Sequence, residues 1–167
     1  MSSRKSAYLF ALVLFAADQF TKWLVTGPIG LVAEGQQVRV LPIFDLTRVH
    51  NYGISLGFAQ AQNDTQRWLL VGLTAVIAIV VAWWIRKEQQ RGDQFALALV
   101  LGGALGNIAD RTRFGYVVDF ADLHFGAFRP FLVFNVSDSA ISIGVVILLL
   151  RAIFIRPAAP EENIDHA

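Results

Sequence analysis

The chain has 167 residues, a length that suits one domain, and 55% of them are hydrophobic against only 16% charged. A soluble domain carries about 25% charge, so this composition, with a mean hydropathy of +0.52, puts the chain in the membrane class. A net charge of +1 comes with no basic block for nucleic acid, and the absence of cysteine excludes disulfides, thiolate metal sites, a cysteine nucleophile and a lipid anchor on the chain itself.

The first six residues are polar, with Arg4 and Lys5. Tyr8 to Val25 is then mostly apolar, interrupted by Asp18 and Lys22. It has no small-residue cleavage site of the kind that ends a signal peptide and is long enough to span, so it reads as a retained helix over about 8–25. Residues 26–67 form the longest polar region, opened by the breakers Gly27, Pro28 and Gly30. Within it, QVRVLPIFDLT at 37–47 has partial strand alternation and NYGISLGF follows at 51–58, so a small sheet or cradle outside the membrane is expected. Asn63-Asp64-Thr65 reads as a turn or helix cap.

Trp68 to Ile85 carries no charge and ends in the interfacial pair Trp83 and Trp84, which makes a second span. A charged turn from Arg86 to Asp93 leads to a third span over about 95–111. A second outer loop occupies 112–135, a fourth span 136–155, and 157–167 reads as a disordered tail. The expected fold is an all-α membrane protein of four transmembrane helices with a small extracytoplasmic β-rich cradle, one domain over 1–156. Basic residues divide seven against six between the two sides, but the turn at 86–93 packs three into eight residues. That density puts both termini and the tail in the cytoplasm, and the two long loops outside.

Four carboxylates, Asp110, Asp119, Asp122 and Asp138, crowd into Gly102–Ser139 of this lipid-adapted chain. Carboxylates at a membrane edge are expensive and usually functional. Singly, each of the last pair has an ordinary explanation. Asp138 sits among Asn135, Ser137 and Ser139 as one of several possible helix caps, and Asp119 is a loop carboxylate within reach of Arg111 or Arg113. Together they form a pair that cannot comfortably ionise twice, and one proton shared between two carboxyls suits hydrolysis of a peptide by activated water. Gly102 and Gly106 make a GxxxG packing pattern, and Asn107 and Arg111 share a helical face. Asp110 beside Arg111 is expected as an ion pair at a helix end, Asp18 and Lys22 as another, and Asp122 as an ordinary loop residue. His50, His124 and His166 lack metal-site spacing, and Lys22, already facing Asp18, leaves no serine–lysine catalyst.

Five blocks, DQFTK at 18–22, NYGISLGF at 51–58, GGALGNIADR at 102–111, YVVDF at 116–120 and FNVSDSAI at 134–141, resemble the bacterial lipoprotein (type II) signal peptidases in order, spacing and four-span layout. NYGISLGF and NIADR depart from the family's commoner forms without touching Asp119 or Asp138. The resemblance implies an aspartic endopeptidase of the inner membrane, without a cofactor. Its substrate would be the prolipoprotein signal peptide, cut just before a diacylglyceryl-cysteine whose lipid chain lies between the helices, and membrane lipids would be its other partner. It implies a catalytic dyad of Asp119 and Asp138. Asp18, Lys22, Asn51, Gly53, Gly103, Asn107, Asp110, Arg111, Asn135 and Ser139 match supporting or substrate-lining positions. The alternative of another class is a non-enzymatic proton- or ion-conducting bundle, which predicts carboxylates spread through the membrane depth. Here the middles of the second and third spans are uncharged.

Overall fold

The computed structural model describes residues 3–54, 59–60 and 64–154. The 157–167 tail and Asn63 of the expected turn lie outside them. Helix α1 spans Ser3–Thr26; strands β1 (Gln37–Leu41), β2 (Phe44–Asn51), β3 (Gly53–Ile54) and β4 (Ala59–Gln60) follow; then come α2 (Asp64–Lys87), α3 (Arg91–Phe114), strand β5 (Val117–Leu123) and α4 (Val136–Phe154). All four helices are long and apolar enough to cross a membrane. The result is a mostly helical, multi-pass membrane protein with a three-stranded antiparallel sheet, in the order β1-β2-β5, at one end. A separate β3-β4 pair lies beside it in sequence.

Helices α1, α2 and α3 run past the limits expected from hydropathy because their ends are polar but tied down. At the end away from the sheet, Ser3 bonds Gln94 and Arg151 pairs with Asp93. At the sheet end of α3, Gly115 takes the left-handed conformation (φ 87°) and donates its N–H to the Arg111 carbonyl. The Arg67 guanidinium closes the same helix end on the carbonyls of Arg111 and Thr112, both at 2.8 Å. The carbonyls of a helix's last turn carry partial negative charge and spare acceptor capacity, so cationic closure there is favourable.

Helix α3 is the central element and packs against each of the other three. Its surface is made of small residues where neighbours cross. A Cβ on Gly102 would fall 2.7 Å from the Ala11 carbonyl of α1. One on Gly103 would meet the Ser137 carbonyl of α4, and one on Gly106 the Ser137 hydroxyl and the Asp18 carboxylate. The backbones therefore approach as closely as small-residue packing permits. A cluster of Ala7, Ala11, Ala78, Val81, Ile85, Leu97, Ala98, Leu101 and Ala104 fills the bundle. A second cluster, Val25, Leu31, Phe120 and Ala121, joins the bundle to the sheet. The large apolar side chains of α1, α2 and α4 that remain exposed, such as Leu12, Ile79 and Ile153, form the surface a bilayer covers.

The outer loop expected at 112–135 contains β5. It is antiparallel to β2, with Val49 opposite Asp119 and Asn51 opposite Val117. Beyond it, Phe134 and Ala121 exchange both backbone hydrogen bonds, at 2.8 and 3.1 Å. That bridge fixes where the chain turns into α4 and so fixes α4's first turn against β5.

Candidate active site

Asp119 is in the middle of β5 and 1% exposed, and Asp138 lies in the first turn of α4. Asn135 holds the two together. Its side-chain amide donates to Asp119 Oδ1 at 2.6 Å. Its Oδ1 accepts the Asp138 N–H at 2.9 Å, while its own backbone N–H donates to Asp138 Oδ2 at 3.3 Å. Asn135 is thus the N-cap of α4, and Asp138, three residues on, completes a reciprocal capping box. Capping and a role in a pair are not alternatives for Asp138, because its second oxygen remains free of the helix. That oxygen, Oδ1, accepts from Asn107 Nδ2 at 2.9 Å.

The remaining oxygen of Asp119 accepts from Asn51 Nδ2 at 3.0 Å. Val49, Asn51, Val117 and Asp119 share one face of the sheet by register. Asn51 is oriented in turn, since its Oδ1 accepts the Gly53 N–H at 3.0 Å. The Gly53 carbonyl accepts from Arg111 Nη2 at 2.9 Å. Burial raises the Asp119 carboxyl, and the nearby Asp138 charge raises it further, against the Asn51, Asn135 and Lys22 contributions. The result is pushed up to about 7. A carboxyl in that range exchanges a proton at neutral pH, as an acid–base catalyst must.

Below this pair lies a buried ionic cluster. Lys22 Nζ is 2.8 Å from both Asp18 Oδ2 and Asp110 Oδ2. The expected Asp110–Arg111 pair does not form. One residue apart on a helix, their side chains point about 100° away from each other; Asp110 faces α1 and Arg111 faces β3. Asp110 Oδ2 also accepts the Val118 N–H of β5 at 3.0 Å, and Asp18 Oδ1 accepts the Ser137 N–H of α4 at 3.0 Å. The cluster therefore anchors both elements that carry the candidate pair. Gln19, to which sequence reading gave no role, bonds Asp18, Asp110 and the Gly106 carbonyl. Its signal was hidden because Asp18 and Lys22 already satisfied each other on paper.

Asp122 is not a loop residue. It is 2% exposed on β5, accepts from Thr47 Oγ1 at 2.9 Å, and pairs with Arg129 at 3.0 Å. Gly103 underlies α4's first turn, and Ser139 Oγ donates back to the Asn135 carbonyl at 3.1 Å. Beside Asp138 opens a groove of about 530 Å³ between residues 130–134 and the α4 residues Asp138, Ser139, Ser142 and Ile143. It is largely apolar with one carboxylate in its wall, the make-up expected of a small-ligand or peptide site.

The model of the family described as Peptidase_A8, signal peptidase II, matches residues 10–154. The chain is 54% identical to a lipoprotein signal peptidase of Sphingopyxis alaskensis over 168 aligned residues, covering 98% of this chain and 96% of that one. It is 53% identical to one from Rhizorhabdus wittichii over 156 residues, covering 93% and 90%. A solved bacterial membrane enzyme superposes with a TM-score of 0.77 at 28% identity, over 89% of this chain and 88% of that one.

Proposed function

The chain belongs to the signal peptidase II family of aspartic peptidases, which process lipoproteins, and from that premise we propose that Asp119 and Asp138 are its catalytic dyad. The observation that carries this reading is Asn135, which donates its side-chain amide to the Asp119 carboxylate on a strand and its backbone N–H to the Asp138 carboxylate at a helix start. In this reading the pair shares one proton near neutral pH, assigned to Asp119, whose carboxyl is pushed up to about 7, and Asp138 serves as the carboxylate. The N-terminal turn of α4, where Asp138 sits, favours negative charge.

A water between the two attacks the scissile carbonyl carbon. Its proton goes to Asp138 while Asp119 gives its proton to the carbonyl oxygen. The C–N bond of the resulting gem-diol then breaks. Asp138 returns its proton to the leaving amine, and one diol hydroxyl returns a proton to Asp119, which restores the pair. Asn107 and Asn51 hold the outer oxygens so that each carboxyl keeps its role. Arg111 lies within electrostatic reach of both and lines the side on which Gly53 is placed.

The substrate in this reading is a prolipoprotein with a diacylglyceryl-cysteine, cut just before that residue. The sheet end faces outward from the inner membrane, with both termini in the cytoplasm. The placement of basic residues supports that orientation, and the apolar groove beside Asp138 supports an apolar peptide or acyl group. The test is cleavage in detergent of a precursor with and without diacylglyceryl on its cysteine. Wild type is expected to cut only the modified precursor. Asp119→Asn and Asp138→Asn should each lose at least about a thousandfold in rate while remaining folded. Full cleavage by either variant would sink the dyad.

A further inference from the structure

Ser142 lies four residues after Asp138, so it sits on the same face of α4 one turn deeper in the span. It is exposed and lines the groove. Hydroxyls inside apolar helices normally close onto a carbonyl one turn back. Thr21, Thr26, Thr74 and Thr112 do so here, and so does Ser139 on the groove wall. Ser142 makes no such bond, and its hydroxyl has no hydrogen-bond partner among the described residues. A free hydroxyl on the lipid-facing side of a transmembrane helix costs free energy unless something meets it.

The substrate supplies a need of the matching kind. A peptide bond offered to two carboxylates must be unwound from any helix, because within a helix its carbonyl is already bonded. The N–H and C=O groups released next to the cut then stand in an apolar layer, where each needs a partner. Around Asp138 the groove is walled by Phe131, Leu132 and Ile143, and the Ser139 hydroxyl is spent on its own helix. Ser142 is the side chain in that wall, besides Asp138, with hydrogen-bonding capacity to give.

We propose that Ser142 is a positioning residue whose hydroxyl bonds the main chain of the signal peptide beside the scissile bond, holding the unwound segment at the depth of Asp138. The inference rests on the peptidase reading above and specifies where the peptide, as opposed to the acyl chains, occupies the groove. A bond made equally in the bound and transition states lowers KM and leaves kcat unchanged.

The experiment compares wild type, Ser142→Val and Ser142→Thr on the diacylglyceryl-modified precursor in detergent, with thermal unfolding followed in parallel. Threonine keeps the hydroxyl and adds a methyl; valine has threonine's size and shape without the hydroxyl, so the two variants differ from each other in the hydroxyl alone. Ser142→Val is expected to raise KM roughly five- to tenfold, the worth of one neutral hydrogen bond, with kcat within about twofold and unfolding unchanged. Ser142→Thr should match wild type. Precursor analogues N-methylated at single positions before the cut should include one that wild type binds as weakly as Ser142→Val does, and to which Ser142→Val is indifferent. An unchanged or lower KM in Ser142→Val overturns the proposal and gives this part of the groove to acyl chains, which valine would suit better than serine. A wild type that leaves the modified precursor whole overturns the peptidase reading and this inference with it.

Discussion

Replacing Asn51 by leucine should move the alkaline limb of the pH–rate profile upward. Asn51 donates to Asp119 Oδ2 at 3.0 Å, and a donor on a carboxylate favours the charged form, so this bond lowers the pKa. Asp119 stands at about 7 with the bond in place. The proposed mechanism needs it protonated, so kcat/KM in wild type should fall above about pH 7. Leucine is close in size, cannot donate, and keeps water from replacing the amide. A hydrogen bond to a charged group is worth about 1.5–3 kcal/mol, and one pKa unit is 1.36 kcal/mol, which bounds the shift at about 1–2 units. Asn51 is half-buried and Asn135 keeps its 2.6 Å bond to the other oxygen, so the lower end, about one unit, is expected. The assay is kcat/KM on the lipid-modified precursor between pH 5 and 9. The overall rate should also drop, because Asn51 Oδ1 holds the Gly53 N–H and so the β3 segment that meets Arg111. Rate loss alone therefore decides nothing. A limb that stays in place or moves to lower pH would refute the assignment of Asp119 as the proton donor.

The buried cluster gives a second expectation: Lys22→Met should cost about 3–5 kcal/mol of stability, because Asp18 and Asp110 would lose the cation 2.8 Å from each. Adding Asp18→Asn and Asp110→Asn to it should recover much of that loss in thermal unfolding. Gly106→Ala should cost about 1–3 kcal/mol or more, since its Cβ would meet the Ser137 hydroxyl and the Asp18 carboxylate. Gly72→Ala on α2, with nothing within 4 Å, should be neutral or stabilising by up to about 1 kcal/mol. Asp119→Asn should stabilise the protein while abolishing cleavage. The Asp119 carboxyl is raised from 3.8 to about 7 on folding, so between those values the folded chain binds the extra proton and stability declines as pH rises. The variant's gain in melting temperature should be largest at pH 8, where about 4 kcal/mol is at stake on this scale, and should vanish below pH 4.

The spans were legible because lipid-facing helices need apolar residues nearly all round, and Trp68 to Ile85 needs no tertiary context to be read. Their ends were not, because Arg67 and Gly115 close α3 through contacts that hydropathy does not record. Strand β5 was hidden for a different reason. VVDFADL is buried on both faces along nearly its whole length, so it has no polar–apolar alternation to betray it. The pairing of Asp119 with Asp138 could be suspected from their shared side of the membrane, but the means of it could not. Asn135 reads as one helix cap among four candidates, and only the Ala121–Phe134 bridge brings that cap against β5. The misreading of Asp110 has the same origin. Lys22 is distant in sequence and Arg111 adjacent, yet a helix turns neighbours apart and brings α1 to α3.

The geometry also explains why an ionic cluster lies under the candidate dyad where apolar residues would be more stable. Replacing a buried ion pair by well-packed hydrophobes is often neutral or stabilising, so stability alone does not account for Lys22, Asp18 and Asp110. Each carboxylate spends a second oxygen or lone pair on the element carrying a catalytic candidate: Asp110 on the Val118 N–H next to Asp119, Asp18 on the Ser137 N–H next to Asp138. An apolar core could fill the same volume but could not bond those two amides, and β5 and the first turn of α4 would be held together less tightly, by the Ala121–Phe134 bridge and Asn135. Two carboxyls sharing one proton depend steeply on their separation, since their repulsion scales inversely with distance. The cluster fixes that separation from below while Asn135 fixes it from above. Its removal should therefore impair cleavage before it unfolds the chain: the Asp18→Asn, Lys22→Met and Asp110→Asn triple variant should regain thermal stability without regaining activity. Wild-type activity in that triple variant would mean that Asn135 alone sets the geometry.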